Sequence, residues 1–256
     1  MARRLFLACW FLAATTVLAA EQPVEIRQRL ATGAEDSSPT VALTLDACGG
    51  AFDAALVHWL IDHRIPATIF ATRRWIDRNP VGVALLRDHP ELFEIEDHGA
   101  NHVPAVIGAN RRVYGIPGAT DAAALKQEII GGAEAIERAW GIKPRWYRGA
   151  TAMYDPAVIG EIERLGYRIA GFSLNADDGA SLPRSGIVAR LKTARSGDII
   201  IAHMNHPTSD TASGLAIGIP WLQAHGFRFV KLGEARLEPL LPPATIARNA
   251  SRPKRG

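Results

Sequence analysis

Val41-Ala42-Leu43-Thr44-Leu45-Asp46 is a nearly unbroken apolar run that ends on one carboxylate, and Ala47-Cys48-Gly49-Gly50 turns the chain after it. A run this short, rich in aliphatic side chains, reads as a strand buried in a parallel sheet. The same kind of run recurs along the chain. Further strands are predicted at Ala67–Ala71, Leu92–Asp97, Arg145–Arg148, Arg168–Leu174, Asp198–His203 and Phe227–Leu232. Helical stretches fall between them at about 53–63, 80–88, 121–140, 155–165, 185–195 and 212–225. Asp121 and Gly141 predict the cap and the stop of one helix, and Asp155-Pro156 the cap and first turn of another. Seven strands alternating with six helices predict an α/β fold with a parallel sheet covered by helices, either an open layer or a closed barrel.

In both arrangements ligands bind at the carboxyl ends of the strands. Those ends carry Asp46, Asp97 with His98, Arg148, Asn175 with Asp177 and Asp178, and His203. Five of the seven predicted strands therefore bring a titratable or strongly polar group to one rim, and this convergence predicts an enzyme. In Asp97-His98-Gly99-Ala100-Asn101-His102 the four-residue spacing places both imidazoles on one face of a predicted helical turn, where both can reach one cation. Asp46 is either a general base for a metal-activated water or a cap for the glycine turn after it. His203, which ends the apolar run Ile199-Ile200-Ile201-Ala202, is either an acid for a leaving group or a hydrogen-bonded core histidine. Arg148 could hold a carboxylate such as Asp46 by a bidentate contact, or make an ordinary ion pair.

The chain has 256 residues, 48% of them apolar and 21% charged. That composition can fill a core and excludes a disordered chain. Of the 29 lysines and arginines behind the net charge of +3, six sit in the first twenty and last nine positions, which contain no acid. Residues 21–247 thus hold 23 basic against 26 acidic side chains, and so mild an acidic balance argues against a phosphate-binding surface and a nucleic-acid partner. Residues 1–20 read as a secretory signal peptide: Arg3 and Arg4, an uncharged run from Leu5 to Leu18, then Ala19 and Ala20 before Glu21. The run falls short of the roughly twenty apolar residues of a membrane span, so an exported protein, periplasmic or extracellular, is expected, with no stable membrane span after cleavage. Residues 21–38 are read as an extension, 39–240 as the domain and 241–256 as a basic, solvated tail. Cys48 is then the one cysteine left, and no internal disulfide can form.

These residues and their order make the chain resemble the polysaccharide deacetylases with a NodB-homology domain, over roughly Pro39 to Glu234. Thr44-Leu45-Asp46-Ala47-Cys48-Gly49 is similar to that family's first motif, T-F-D-D-G, and His98-Gly99-Ala100-Asn101-His102 to its H-[ST]-x-x-H. Arg148-Gly149-Ala150-Thr151-Ala152 matches R-x-P-x-[GF] in its arginine only. Asn175–Gly179 stands where an Asp-containing fourth motif belongs, and Ile201-Ala202-His203 resembles L-x-H. The resemblance implies a distorted, incomplete (β/α) barrel of about seven parallel strands that removes N- or O-acetyl groups from a glycan with a divalent metal. It implies Asp46 as base, oriented by Arg148, with His98 and His102 as metal ligands and His203 as acid.

Ala47 departs from the pattern, for it stands where the family places a ligand aspartate. Three repairs are open: Cys48 as a thiolate ligand, Asp46 turned to the metal, or two histidines with additional waters. Zinc, which accepts cysteine readily, is the expected cation. Trp146, Asp178 and Tyr114 are candidate substrate contacts, the last in a loop, 103–120, long enough to shape a groove wall with Arg111 and Arg112. The expected function is a secreted metal-dependent hydrolase removing N-acetyl groups from an amino-sugar polysaccharide such as peptidoglycan or chitin. Two other readings stay open: hydrolysis of a small cyclic amide, and a glycan-binding domain without catalysis.

Overall fold

The computed structural model describes residues 22–31 and 38–240; the predicted signal peptide and basic tail lie outside the described residues. Eight strands form one parallel sheet: β1 (Thr40–Ala47), β2 (Ala67–Ala71), β3 (Phe93–Asp97), β4 (Trp146–Tyr147), β5 (Arg168–Ile169), β6 (Leu174–Asn175), β7 (Ile199–His203) and β8 (Arg228–Val230). The order is β5-β4-β3-β2-β1-β7-β6, with β8 beside the first residues of β1. Around it lie α1 (Ala54–Asp62), α2 (Arg73–Arg78), α3 (Pro80–Arg87), α4 (Ala122–Trp140), α5 (Pro156–Arg164), α6 (Arg184–Leu191) and α7 (Thr211–Ala224). This is the distorted, incomplete (β/α) barrel of the prediction.

β1 is buried along its whole length because both of its faces meet apolar layers. Val41, Leu43 and Leu45 belong to the cluster under the helices, with Leu56, Trp75 and Ile219. Ala42 alternates into the inner cluster with Phe70 and Ile201, and Thr44 and Asp46 follow it on the same face at period two. Burying one such aliphatic side chain contributes about 2 kcal/mol, so a one-residue slip of β1 would forfeit several of these and invert the face that carries Asp46.

The predicted strand Arg168–Leu174 divides. Its start pairs with β4 and its end with β7, so one run of chain ends one edge of the sheet and begins the other. Between them Ala170 N–H donates to the Tyr147 carbonyl and Ser173 N–H to the Ile199 carbonyl. Residues 170–173 therefore step across the seam of the barrel. Gly171 permits the step, since a side chain there would collide with the Ile26 carbonyl of an N-terminal strap, residues 22–31.

Two local readings change and one holds. α2 is an additional short helix, started by Thr72, whose hydroxyl accepts from Trp75 N–H at 3.0 Å. Asp121 and the left-handed Gly141 bound α4 as predicted. Asp155 precedes α5 but does not cap it; its carboxylate instead accepts from Ile107 N–H at 2.8 Å and pairs with Arg111 at 2.6 Å, tying down the 103–120 loop.

Candidate active site

Parallel register brings the first two groups together. Asp46 on β1 lies directly opposite His203 on β7, and Asp97 on β3 lies opposite Ala71 on β2. Arg148, just past β4, reaches across the barrel: its guanidinium donates to Asp46 Oδ1 and to Thr44 Oγ1, each at 2.8 Å, and to the carbonyls of Ala170 at 3.2 Å and Gly171 at 3.0 Å. It also lies 4.1 Å above the Phe70 ring. The contact to Asp46 is a single hydrogen bond rather than a bidentate fork, because the other donors are committed to the seam. Burial alone would push the Asp46 carboxyl up, but the charge of Arg148, with His98 and His203, holds it below its ordinary range. Asp46 is an ionised carboxylate.

The His98–His102 segment is a loop, not a helical turn: Gly99 and His102 both have positive φ, 85° and 63°. The rings converge all the same, with centroids 5.0 Å apart. Glu128 of α4 shapes the loop, accepting from the N–H groups of Asn101 at 2.8 Å and Val103 at 3.0 Å. Gly131-Gly132 lets α4 approach that closely, since a Cβ on Gly132 would strike Asp97 and Gly99. Sequence reasoning passes over Glu128; the glycine pair inside a long helix is the one trace it leaves.

Cys48 lies beside these histidines, its Sγ 3.5 Å from His98 Nε2. One donor atom from each of Cys48, His98 and His102 lies within 4.8 Å of the others. Tetrahedral zinc with one sulfur and one imidazole ligand holds those two atoms about 3.6 Å apart, so the closest pair already has the spacing of a first shell. The Nδ1 of His98 faces the Arg148 carbonyl at 2.6 Å, which leaves Nε2 for the cluster, the outer-shell arrangement usual for a ligating histidine. Burial would raise the Cys48 thiol, but the charge of His98 and hydrogen bonds from His102, His203 and His98 bring it well below its ordinary value. A soft thiolate with two imidazoles suits zinc better than a hard cation.

His203 is backed by a residue that the sequence places at the rim but gives no role. Asp177, fully buried, faces His203 Nδ1 at 2.9 Å, accepts from its backbone N–H at 2.8 Å and from Thr211 Oγ1 at 2.9 Å. Desolvation would lower the His203 pKa, yet the hydrogen bonds and charges of Asp177 and Cys48 raise it well above the ordinary value. Asp178, the residue picked out from sequence, turns outward at the rim with positive φ. The Asp-Asp pair is legible in the sequence; which of the two faces inward is not.

Asp46, Cys48, His102, His203, Asp178 and Tyr114 all line one cavity of about 570 Å³. Among the described residues seven non-glycines have positive φ, and five of them (His102, Tyr114, Thr151, Ala152 and Asp178) line this cavity. Such conformations cost roughly 1–3 kcal/mol each and persist where the surroundings impose them, so the strain is concentrated on this cavity. Trp146 is elsewhere. It is buried in the inner cluster with Ala42 and Phe70, its indole lies 3.8 Å from Arg168, and it borders a different cavity from the one that Asp46 lines. It is not placed to stack on a sugar at this site.

Comparison with known proteins places the chain. Residues 33–170 match the polysaccharide deacetylase family. The chain belongs to that family. A peptidoglycan-N-acetylglucosamine deacetylase of Bacillus cereus is 28% identical over 179 residues, 68% of this chain and 77% of that protein. Two solved structures share the fold. An acetyl xylan esterase of Clostridium thermocellum, in complex with a cobalt ion, is 22% identical, covers 76% of this chain and 89% of its own, and has a TM-score of 0.62. A CE4 family pseudoenzyme, as a mutant with restored enzymatic activity, is 18% identical over 78% of this chain and 68% of its own, also with a TM-score of 0.62.

Proposed function

We propose that the chain is an exported, metal-dependent hydrolase that removes N-acetyl groups from an amino-sugar polysaccharide. Family membership and the Bacillus cereus relative support the reaction class, and residues 1–20 support export. The observation that carries the reading is that one cavity joins a sulfur–nitrogen donor trio to an Arg-held carboxylate and an Asp-backed imidazole. A glycan-binding module would have no use for a buried base and a poised acid side by side.

Cys48, His98 and His102 would hold the cation, which when bound supplies Lewis acidity toward the acetyl carbonyl. Asp46 takes a proton from the attacking water, and Arg148 keeps that carboxylate ionised and aimed into the cavity. His203 gives its proton to the departing amine nitrogen, and Asp177 holds the ring in the tautomer and orientation the transfer needs. Ala47 does not by itself disable the site, because Cys48 offers a donor one residue further on.

The test is acetate release by the full purified chain from chitin oligomers and from peptidoglycan, with metal content measured in parallel. About one equivalent of zinc and loss of turnover on chelation are expected. Turnover that survives complete metal removal would overturn the metal assignment and point to Cys48 as a nucleophile, visible as an acetyl thioester by mass spectrometry. His203→Ala should keep the metal and lose turnover by about 10²–10⁴-fold.

A further inference from the structure

The cavity is completed by a segment outside the family match. Residues 22–31 precede the matched span 33–170, yet Val24 and Glu25 pair antiparallel with Tyr154 and Met153. That pairing sets Glu25 in the wall of the cavity that holds Asp46, Cys48 and His203. Arg27 fixes its side chain: the guanidinium donates to Glu25 Oε2 at 2.9 Å and to the Ser173 carbonyl, and lies 4.8 Å over the ring of Phe172, which lines the same cavity. Gln28 anchors the strap further along, its Oε1 accepting from Gly171 N–H at 2.7 Å and its N–H donating to the Phe172 carbonyl at 3.2 Å.

The Glu25 side chain remains 34% exposed. A carboxylate has about four acceptor positions, and the arginine occupies one of them. Asp178 adds a second carboxylate to the rim, and among the described residues that line this cavity none is a lysine or an arginine. Apart from His203 and the metal-site residues, the Glu25 and Asp178 part of the wall thus offers hydrogen-bond acceptors and no lysine or arginine. Hydroxyls of a neutral sugar, or an ammonium group, satisfy that part of the wall, whereas a ligand carboxylate set against Glu25 or Asp178 is repelled.

We propose that Glu25 is a substrate-binding residue whose carboxylate accepts hydrogen bonds from the hydroxyls of the sugar held in this cavity, and that the strap makes the site selective for uncharged or cationic glycans over carboxylate-bearing ones. The proposal rests on the hydrolase reading above for its substrate class, but its test does not need turnover. Calorimetric titration of the full chain with a neutral N-acetylglucosamine oligomer, and with the same oligomer carboxymethylated, compares the parent with Glu25→Gln and Glu25→Ala. The neutral oligomer should bind the parent, and each substitution should weaken it roughly tenfold, the loss expected for one hydrogen bond to a charged acceptor. The carboxymethylated oligomer should bind the parent more weakly than the neutral one, with the gap narrowed in Glu25→Gln. In turnover the loss should fall on KM, with kcat, zinc content and melting temperature kept. Equal binding of the neutral oligomer to parent and variants, no binding to the parent, or a fall in kcat together with zinc would each overturn the role of Glu25. Normal binding without acetate release would instead overturn the hydrolase reading and leave the Glu25 comparison decided by affinity.

Discussion

β1, β2, β3 and β7 run five to eight residues each, while β4, β5 and β6 run two each. In the long-strand half a backbone ladder sets position, and it is this ladder that puts His203 opposite Asp46. In the short-strand half side chains take over. Arg148 binds two seam carbonyls, Gln28 takes the Gly171 N–H, and Ser173 Oγ accepts from Ile199 N–H at 2.9 Å while donating to Asp198 at 2.7 Å. A ladder tolerates substitution at most positions because every residue contributes the same groups; a seam built from a few polar side chains does not. Arg148 is where the two halves meet, since it holds both the seam and Asp46.

The contrast breaks first at Arg148. Arg148→Met leaves Asp46 buried without its partner and the seam carbonyls without donors, which should cost about 3–5 kcal/mol of stability in denaturant titration together with at least a hundredfold in turnover. Stability within about 1 kcal/mol of the parent would show that the short strands hold without it.

Asp177 is the next largest effect, and it falls on chemistry. Asp177→Asn should lower kcat/KM by about 10²-fold and move the basic limb of its pH profile to lower pH, because His203 loses the first of the two partners, Asp177 and Cys48, that raise its pKa. The same pairing contributes stability below the unfolded histidine value and above the unfolded aspartate value, and loses it as pH rises through the folded His203 value or falls through the folded Asp177 value. The variant should therefore lie furthest below the parent in mild acid, between those two unfolded values. A pH profile identical to the parent's would remove His203 from the role of acid.

Gln28→Ala is the mildest. Freeing the Gly171 N–H should cost about 1 kcal/mol and leave the affinity of the Cys48, His98 and His102 trio for added metal untouched. If it also halves the turnover attributed to Asp46, the strap acts on the base through the seam and Arg148.

The long-strand half was legible because fully buried parallel strands read as apolar runs, and an ionisable group at the tip of such a run has few structural reasons to be there. Asp46, His98 and His203 stand out on that ground alone. The short-strand half was not legible in the same way. Two-residue strands carry no periodicity, and Arg168–Leu174 reads as one strand because nothing local marks Ala170–Ser173 as a crossing. Glu128 looks like a residue on a helix face, and Glu25 belongs to a short stretch with no motif at all. Trp146 shares the inner cluster with Ala42 and Phe70 yet borders another cavity, and a two-residue strand carries no signal of which cavity its side chain meets.

Composition and pattern by themselves determined an α/β chain with a mildly acidic body between basic ends, its parallel strands, and the order in which Asp46, His98, Arg148 and His203 reach one rim. Those follow from local chemistry: side-chain hydrophobicity, the period of two and the turn residues. Tertiary structure alone decided which atoms meet. It set Cys48 Sγ 3.5 Å from His98 Nε2, turned Asp177 rather than Asp178 toward His203, and brought Glu25 into the cavity. Those contacts join residues from 26 to more than a hundred positions apart, so they depend on how elements cross and on which face each presents, and no local stretch of chain encodes either.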